Sequence, residues 1–190
     1  MNIPNILTVS RFFLTVVFAS FAQGSGTGAA VLAVLVFTCA ALTDWADGYL
    51  ARKYDISTAF GKLMDPIADK ALVLSAFFIF AYAGLWSLWL VYMIAAREIL
   101  VTASRIQAMT RGQVIPAEKA GKIKTIFQMG TISAALVCRV LVIWSATAGF
   151  MKNYEILWRA GLDLLMIIAT ILTIWSGAVY WRNLDKPDHQ

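Results

Sequence analysis

Six apolar runs, each about 20 residues or longer, occupy almost the whole chain and constrain its fold more than any other feature. A run of this length crosses the hydrocarbon core of a bilayer as a helix, in which every backbone hydrogen bond is satisfied internally. The chain is 60% hydrophobic and only 14% charged, too apolar for a soluble core. We therefore predict an all-α integral membrane protein of one domain, residues 1–190, with six transmembrane helices at about residues 4–23, 28–51, 58–83, 86–109, 122–148 and 156–182.

Four aspartates interrupt this pattern: Asp44, Asp47, Asp65 and Asp69. An uncompensated aspartate at the bilayer centre costs about 2.5 to 3.5 kcal/mol on insertion scales, so the cluster requires a cation. On a helix Asp44 and Asp47 share one face, and Asp65 and Asp69 share a face of the next helix. The polar segment between them, Arg52 to Phe60, is expected to be the turn between two antiparallel helices. The carboxylates would then meet at the membrane surface.

These candidate ligands are all oxygens. The single histidine, His189, stands next to the C-terminus, and both cysteines lie inside apolar runs. Carboxylates favour hard cations such as Mg²⁺ or Mn²⁺ over zinc. Two such ions about 4 Å apart clamp a diphosphate and stabilise its leaving group, so the pattern favours phosphoryl transfer. The alternative is that the aspartates only hold helices together, through ion pairs with Lys70 or Arg97.

The aspartates also belong to an ordered motif. The signature D-x2-D-G-x2-A-R-x8-G-x3-D-x3-D of the CDP-alcohol phosphotransferase family resembles, at every fixed position, the run from Asp44-Thr-Trp-Asp47-Gly48-Tyr-Leu-Ala51-Arg52 to Gly61-Lys-Leu-Met-Asp65-Pro-Ile-Ala-Asp69. The resemblance implies a divalent-metal-dependent enzyme whose four aspartates bind two metal ions. It also implies that Asp69 is the general base that takes the proton from the acceptor hydroxyl.

The resemblance further implies a CDP-linked donor. The opening Pro4-Asn5-Ile6-Leu7-Thr8-Val9-Ser10-Arg11 is similar to the P-N-x-L-T-x-x-R start of bacterial members. Arg52 also fits a simpler role as a cationic anchor. Asn5 and Arg11 would equally fit an interfacial cap and anchor. Carried over by position, the CDP-binding residues are Gly48, Ala51, Arg52, Gly61, Asn5 and Arg11.

A second set of charges bears on the acceptor. Several cations on one rim suit an acceptor that carries a phosphate, because arginine binds phosphate through two parallel hydrogen bonds and lysine supplies a point charge. A lipid-headgroup anchor is the alternative, and it explains Arg111 and Lys119 equally well. The residues that we expect to bind the acceptor phosphate are Arg97, Arg105, Lys122 and Lys124.

The sequence around these cations extends the resemblance to most of the chain. Ala96-Arg97-Glu98-Ile99, and Gly121-Lys122-Ile123-Lys124-Thr125 with Gln128, resemble bacterial family members that use sn-glycerol 3-phosphate. The resemblance implies that the acceptor hydroxyl attacks the phosphorus bearing diacylglycerol in CDP-diacylglycerol and releases CMP. Phosphatidylglycerol and inositol phosphate are the alternative acceptors within the family. From other classes, an aspartate-rich membrane prenyltransferase and a cation transporter remain as alternatives.

The positive residues set the orientation. They cluster at residues 52–62, 105–124 and 182–186, whereas the turns at residues 23–28 and 83–87 contain none and the last turn on that side contains Lys152 and Arg159. By the positive-inside rule both termini and a polar active-site cavity face the cytoplasm, in a multi-pass protein of the bacterial inner (plasma) membrane. Attraction to lipid headgroups and phosphorylated substrates explains the net charge of +5 without a nucleic acid partner. Homodimerisation is expected from the family.

Overall fold

The structure, a computed structural model, describes the backbone of residues 3–54, 59–110 and 119–184 and the side chains of residues 10–43, 67–68, 70–108, 110 and 120–183. Throughout these ranges the regular structure is helical. The helices follow one another as α1 (Ile3–Gln23), α2 (Thr27–Tyr54), α3 (Ala59–Tyr82), α4 (Leu88–Thr110), α5 (Lys119–Ile143), α6 (Ser145–Asn153) and α7 (Glu155–Leu184).

Each predicted apolar run contains a long helix, which confirms that the protein is all-α. The predicted end of the fifth run is wrong. Helix α5 stops at Ile143, and Trp144 adopts an extended backbone (φ −71°, ψ 121°) before the short helix α6 begins. Hydropathy does not reveal this break, because Trp144 is apolar and two hydroxyl residues, Ser145 and Thr147, are too few to interrupt the apolar run.

The turn between α3 and α4 shows why that connection is short. Gly84 follows α3 with a positive φ of 77°, a conformation that costs glycine little. The Leu85 amide donates to the Phe80 carbonyl and the Gly84 amide to the Ala81 carbonyl, both at 3.0 Å. This is the Schellman arrangement that satisfies the last carbonyls of a helix. It reverses the chain within five residues, so α4 packs against α3.

The helices pack into one bundle. Helix α1 contacts α2 and α3; α5 contacts α2, α3 and α7; and α4 contacts α3 and α7. The centre is filled by fully buried apolar side chains, among them Phe18, Phe77, Ile94, Ile132 and Met166. Helix α6 lies against α5 and α7, where only its Met151 is buried.

The outer surface of the bundle is apolar, and one end of its interior is polar. Phe13, Val16 and Ile126 are 68%, 65% and 69% exposed, whereas Glu98 and Gln128 are only 2% and 3% exposed. Such an arrangement suits apolar surroundings better than water.

Two helical segments are long and apolar enough to cross a membrane, judged by length and composition over the described residues. They are Ala120–Ile143 and Glu155–Asn183, and shorter apolar stretches occur at Thr27–Thr43 and Lys70–Tyr82. Together with the apolar outer surface, these segments are consistent with a membrane protein.

Arg139 fastens the far end of the bundle. From α5 its guanidinium donates to the carbonyls of Ala22 and Gly24, the latter at 2.6 Å. The last carbonyls of a helix have no partner within the helix. A cation at this end also interacts favourably with the negative end of the helix dipole. Arg139 therefore caps α1 and joins it to α5.

Candidate active site

The aspartate motif lies on two helices. Asp44 and Asp47 belong to the C-terminal half of α2, and Asp65 and Asp69 to the first half of α3. Their spacing of three and four residues therefore puts each pair on one helix face. Their side chains are outside the described residues, and the described side chains contain no group of three potential metal ligands. The metal site and the general base stay predictions.

The predicted bounds of the turn, residues 52–60, are wrong at both ends. Helix α2 continues to Tyr54 and α3 begins at Ala59, so Arg52 is helical and not part of a turn. Arg52 therefore lies on the same continuous helix as Gly48, Ala51 and the first two aspartates.

An all-oxygen donor set on these two helices fits a hard divalent cation. Two pairs of carboxylates on successive helices suit Mg²⁺ or Mn²⁺ better than a thiolate-seeking metal. The fit rests on donor chemistry and on the helical spacing.

One residue of the predicted CDP-binding set has a described side chain. Arg11, on α1, is 4% exposed and lines a cavity of about 430 Å³ together with Lys70, Glu98 and Lys124. The position of Arg11 argues against a mere surface anchor, because its side chain is directed into the bundle. The side chains of the other members, Asn5, Gly48, Ala51, Arg52 and Gly61, lie outside the described residues.

The four cations predicted to bind the acceptor phosphate lie around a second cavity, of about 410 Å³, bordered by α3, α4, α5 and α7. Lys124 is buried and Arg97 half-buried, whereas Arg105 and Lys122 are exposed. Arg97 and Arg105 are separated by eight residues, about 12 Å along α4. The cations therefore extend from an exposed rim to the buried interior.

The two cavities are neighbours. Lys70, Glu98, Lys124 and Thr125 contribute to both walls. Lys70 immediately follows Asp69 on α3, so the predicted general base is adjacent in sequence to a residue that lines both cavities. The cavity lined by Arg11 and the cavity lined by the four cations thus share one set of side chains.

A buried polar network stands at this boundary. Glu98 Oε1 accepts hydrogen bonds from Lys124 Nζ, from Arg97 Nη1 at 3.3 Å and from Gln128 Nε2 at 3.3 Å. Gln128 Nε2 also donates to Thr173 Oγ1 at 2.9 Å. The network therefore connects α4, α5 and α7 through groups that would be costly to bury alone.

Helix α7 supports the arginines of the cavity. Arg97 Nη2 donates to Ser176 Oγ at 2.9 Å. A Cβ atom at Gly177 would come within 3.1 Å of Arg97 Cγ, so glycine leaves room for that side chain. Further along α7, the Tyr180 ring lies 5.8 Å from the Arg105 guanidinium carbon, within cation–π range.

The sequence interpretation did not assign roles to Glu98, Thr173 or Ser176. Their spacing carries a weak signal, since Thr173 and Ser176 lie three residues apart on one helix face. Gln128 similarly follows Lys124 by one turn of α5. Polar residues repeating at helical spacing inside apolar runs would have identified them as neighbours of the cations.

Comparisons with known proteins identify the family of the chain. A model of the CDP-alcohol phosphatidyltransferase family matches residues 1–175. The chain is 33% identical over 197 residues to the CDP-diacylglycerol–glycerol-3-phosphate 3-phosphatidyltransferase of Bacillus subtilis (strain 168), covering 97% of this chain and 94% of that protein.

Two further relatives extend the comparison. The protein of the same name from Escherichia coli (strain K12) is 33% identical over 183 residues, covering 94% of this chain and 92% of the relative. A probable phosphatidylglycerophosphate synthase of Mycobacterium tuberculosis (strain CDC 1551 / Oshkosh) is 41% identical over 130 residues, covering 67% of this chain and 62% of the relative. The chain belongs to the CDP-alcohol phosphatidyltransferase family.

Proposed function

We propose that the protein transfers the phosphatidyl group of CDP-diacylglycerol to sn-glycerol 3-phosphate, giving phosphatidylglycerophosphate and CMP. The observation that carries this proposal is the charge of the second cavity. Its wall holds five cationic side chains and one carboxylate, a formal net charge of +4: Lys70, Arg97, Arg105, Lys122, Lys124 and Glu98. The names of the relatives from Bacillus subtilis and Escherichia coli point to the same reaction.

The cations would bind the phosphate of the acceptor. A phosphate monoester carries up to two negative charges, and both arginine and lysine form short, charge-assisted hydrogen bonds to its oxygens. Arg105 and Lys122 stand at the exposed rim, where charge attracts an anionic substrate from solution. Lys124 and Arg97 lie deeper, where exclusion of water strengthens each contact.

The reaction would take place next to the acceptor cavity, beyond the side chains that the two cavities share. Asp44, Asp47, Asp65 and Asp69 would hold Mg²⁺ or Mn²⁺, which when bound polarises the diphosphate and stabilises the departing phosphate of CMP. Asp69 would accept the proton of the acceptor hydroxyl. The hydroxyl oxygen forms a bond to the phosphorus bearing diacylglycerol as the bond to the CMP oxygen breaks, so no covalent enzyme intermediate forms.

The proposed reaction fits a particular arrangement in the membrane. Helices α1 to α5 and α7 would each cross the bilayer, with the polar cavity and both termini at the cytoplasmic surface. Helix α6 would then lie at the opposite surface, since it follows the outward-running α5. Lipid tails would contact the apolar outer surface, and a homodimer, expected from the family, would bury part of it.

A comparison of acceptors in separate reactions tests the proposal directly. The purified protein in detergent micelles receives CDP-diacylglycerol and Mg²⁺ and, in separate reactions, glycerol 3-phosphate, phosphatidylglycerol or inositol phosphate. We expect CMP release with glycerol 3-phosphate, and no release when a chelator replaces Mg²⁺. CMP release only with another acceptor would refute the choice of glycerol 3-phosphate, and metal uptake by proteoliposomes without CMP release would refute the enzymatic proposal itself.

A further inference from the structure

Glu98 is a carboxylate inside a cavity proposed to receive a phosphate. The residue is only 2% exposed, and it lines both cavities. Direct contact between a carboxylate and a phosphate is repulsive. The benefit of Glu98 must therefore lie in what it does to the cations around it.

Both deep cations of the cavity are tied to this one carboxylate oxygen. Lys124 Nζ and Arg97 Nη1 donate to Glu98 Oε1, from two different helices. The carboxylate uses one of the three ammonium N–H donors of Lys124, which leaves the ammonium able to bind a ligand in the cavity as well. A lysine has a flexible four-carbon stem, so a fixed partner reduces the number of rotamers that it samples. Glu98 also lowers the repulsion between the two cations.

A second layer fixes the carboxylate itself. Gln128 Nε2 bridges Glu98 Oε1 and Thr173 Oγ1, and Arg97 Nη2 is held by Ser176 Oγ. Thr173 and Ser176 are 0% and 1% exposed, so these partners are themselves held by packing. Every member of the layer comes from α4, α5 or α7, which all contribute to the wall of the acceptor cavity.

We propose that Glu98 is a positioning residue for the acceptor: its carboxylate, braced by Gln128 and α7, holds Lys124 and Arg97 where they bind the acceptor phosphate. This role rests on the proposed function, because it deepens the assignment of the same cavity. It requires that loss of the Glu98 charge impair acceptor binding far more than donor binding.

The decisive variant is Glu98→Gln, which keeps the size of the side chain and removes its charge. Glu155→Gln is the matched control, because Glu155 also forms an ion pair, with Arg159 at 2.9 Å, but outside both cavities. We expect Glu98→Gln to raise the KM for glycerol 3-phosphate roughly tenfold to a hundredfold, as expected for weakened charged hydrogen bonds, with the KM for CDP-diacylglycerol within about twofold of wild type. The conservative variant Glu98→Asp should recover part of the acceptor affinity. Glu155→Gln should change neither constant.

Binding of inorganic phosphate provides a readout that is independent of turnover. Phosphate should raise the thermal unfolding midpoint of the wild-type protein in detergent, and Glu98→Gln should need at least about ten times more phosphate for the same rise. If wild-type protein releases no CMP with glycerol 3-phosphate but phosphate protection still depends on Glu98, the proposed function fails and the positioning role stands. An equal rise in both KM values, or an unchanged acceptor KM with unchanged phosphate protection, would overturn the positioning role.

If Glu98→Gln does not fold, Ser176→Ala tests the same inference more gently. It removes the hydroxyl that holds Arg97 Nη2 and leaves Glu98 in place. A rise of about threefold or more in the acceptor KM alone supports the role, and an unchanged acceptor KM argues against it.

Discussion

Removing Lys124 while keeping Glu98 would leave a carboxylate buried without its principal cation, which makes this pair a sensitive test of the structure. The two side chains are 10% and 3% exposed. Breaking a buried ion pair from one side costs about 3 to 5 kcal/mol, because one charge remains uncompensated. Arg97 and Gln128 would still donate to Glu98, so we expect Lys124→Met to cost about 3 kcal/mol, at the lower end of that range. Glu98→Gln should cost a similar amount, because it leaves the ammonium buried.

The double variant separates pairing from burial. Once both charges are gone, no uncompensated member of the pair is left, so the double variant should cost no more than either single variant. The coupling energy between the two positions should therefore be at least about 3 kcal/mol. The control is the pair of Glu155→Gln and Arg159→Met, since these side chains are 49% and 50% exposed. An exposed pair spaced four residues apart on a helix contributes only about 0.3 to 0.5 kcal/mol.

Unfolding in mixed micelles with increasing sodium dodecyl sulfate, followed by circular dichroism, gives the free energy of each variant. Both cycles require the wild type, two single variants and the double variant in the same detergent. Additive costs at Glu98 and Lys124, with a coupling below about 0.5 kcal/mol, would show that the two charges do not pair in the folded protein. That result would also remove the basis for assigning a positioning role to Glu98.

Three further outcomes are expected. Asp69→Asn should abolish CMP release and leave the unfolding midpoint unchanged. Asp55→Asn, outside the motif, is the control and should stay active. Near-normal turnover by Asp69→Asn would show that Asp69 is not the base. Gly177→Ala should raise the acceptor KM about twofold to tenfold, because the new Cβ displaces Arg97 by a few tenths of an ångström. The control is Gly161→Ala on the same helix, where a new Cβ meets no atom within 4 Å, so the acceptor KM should not change. Equal KM values for the two glycine variants would show that Arg97 has room to move. Arg139→Met should lower the free energy of unfolding by about 2 to 3 kcal/mol, because two carbonyls at the end of α1 lose a charged donor. A change below about 0.5 kcal/mol would contradict the capping role of Arg139.

The helices could be predicted from the sequence because length and apolarity leave few other choices in lipid. The break at Trp144 could not, since an apolar residue in an extended conformation looks like its helical neighbours in a hydropathy profile. The sequence predicted that Arg97, Arg105, Lys122 and Lys124 would converge, because their helices end at the same rim of the bundle. In the structure all four line one cavity.

The partners of these cations were harder to predict. Glu98 contacts a lysine 26 residues away, and Arg97 contacts a serine 79 residues away. Helical periodicity tells which residues share a face, but it does not tell which helix that face meets. Hence Thr173 and Ser176 look like ordinary polar residues of an apolar helix until α7 is placed beside α4.

The link between Arg139 and α1 has a consequence for the order in which the protein is made. The Gly24 carbonyl lies 115 residues before its guanidinium donor in the chain. At ordinary rates of synthesis, about 5 to 20 residues per second, the donor is added on the order of 10 s after α1. During that interval the end of α1 must use water or another temporary partner for its carbonyls. The N-terminal helix therefore reaches its final hydrogen-bonded state only after the fifth helix arrives, so the first part of the protein to be synthesised is not the first to be completed.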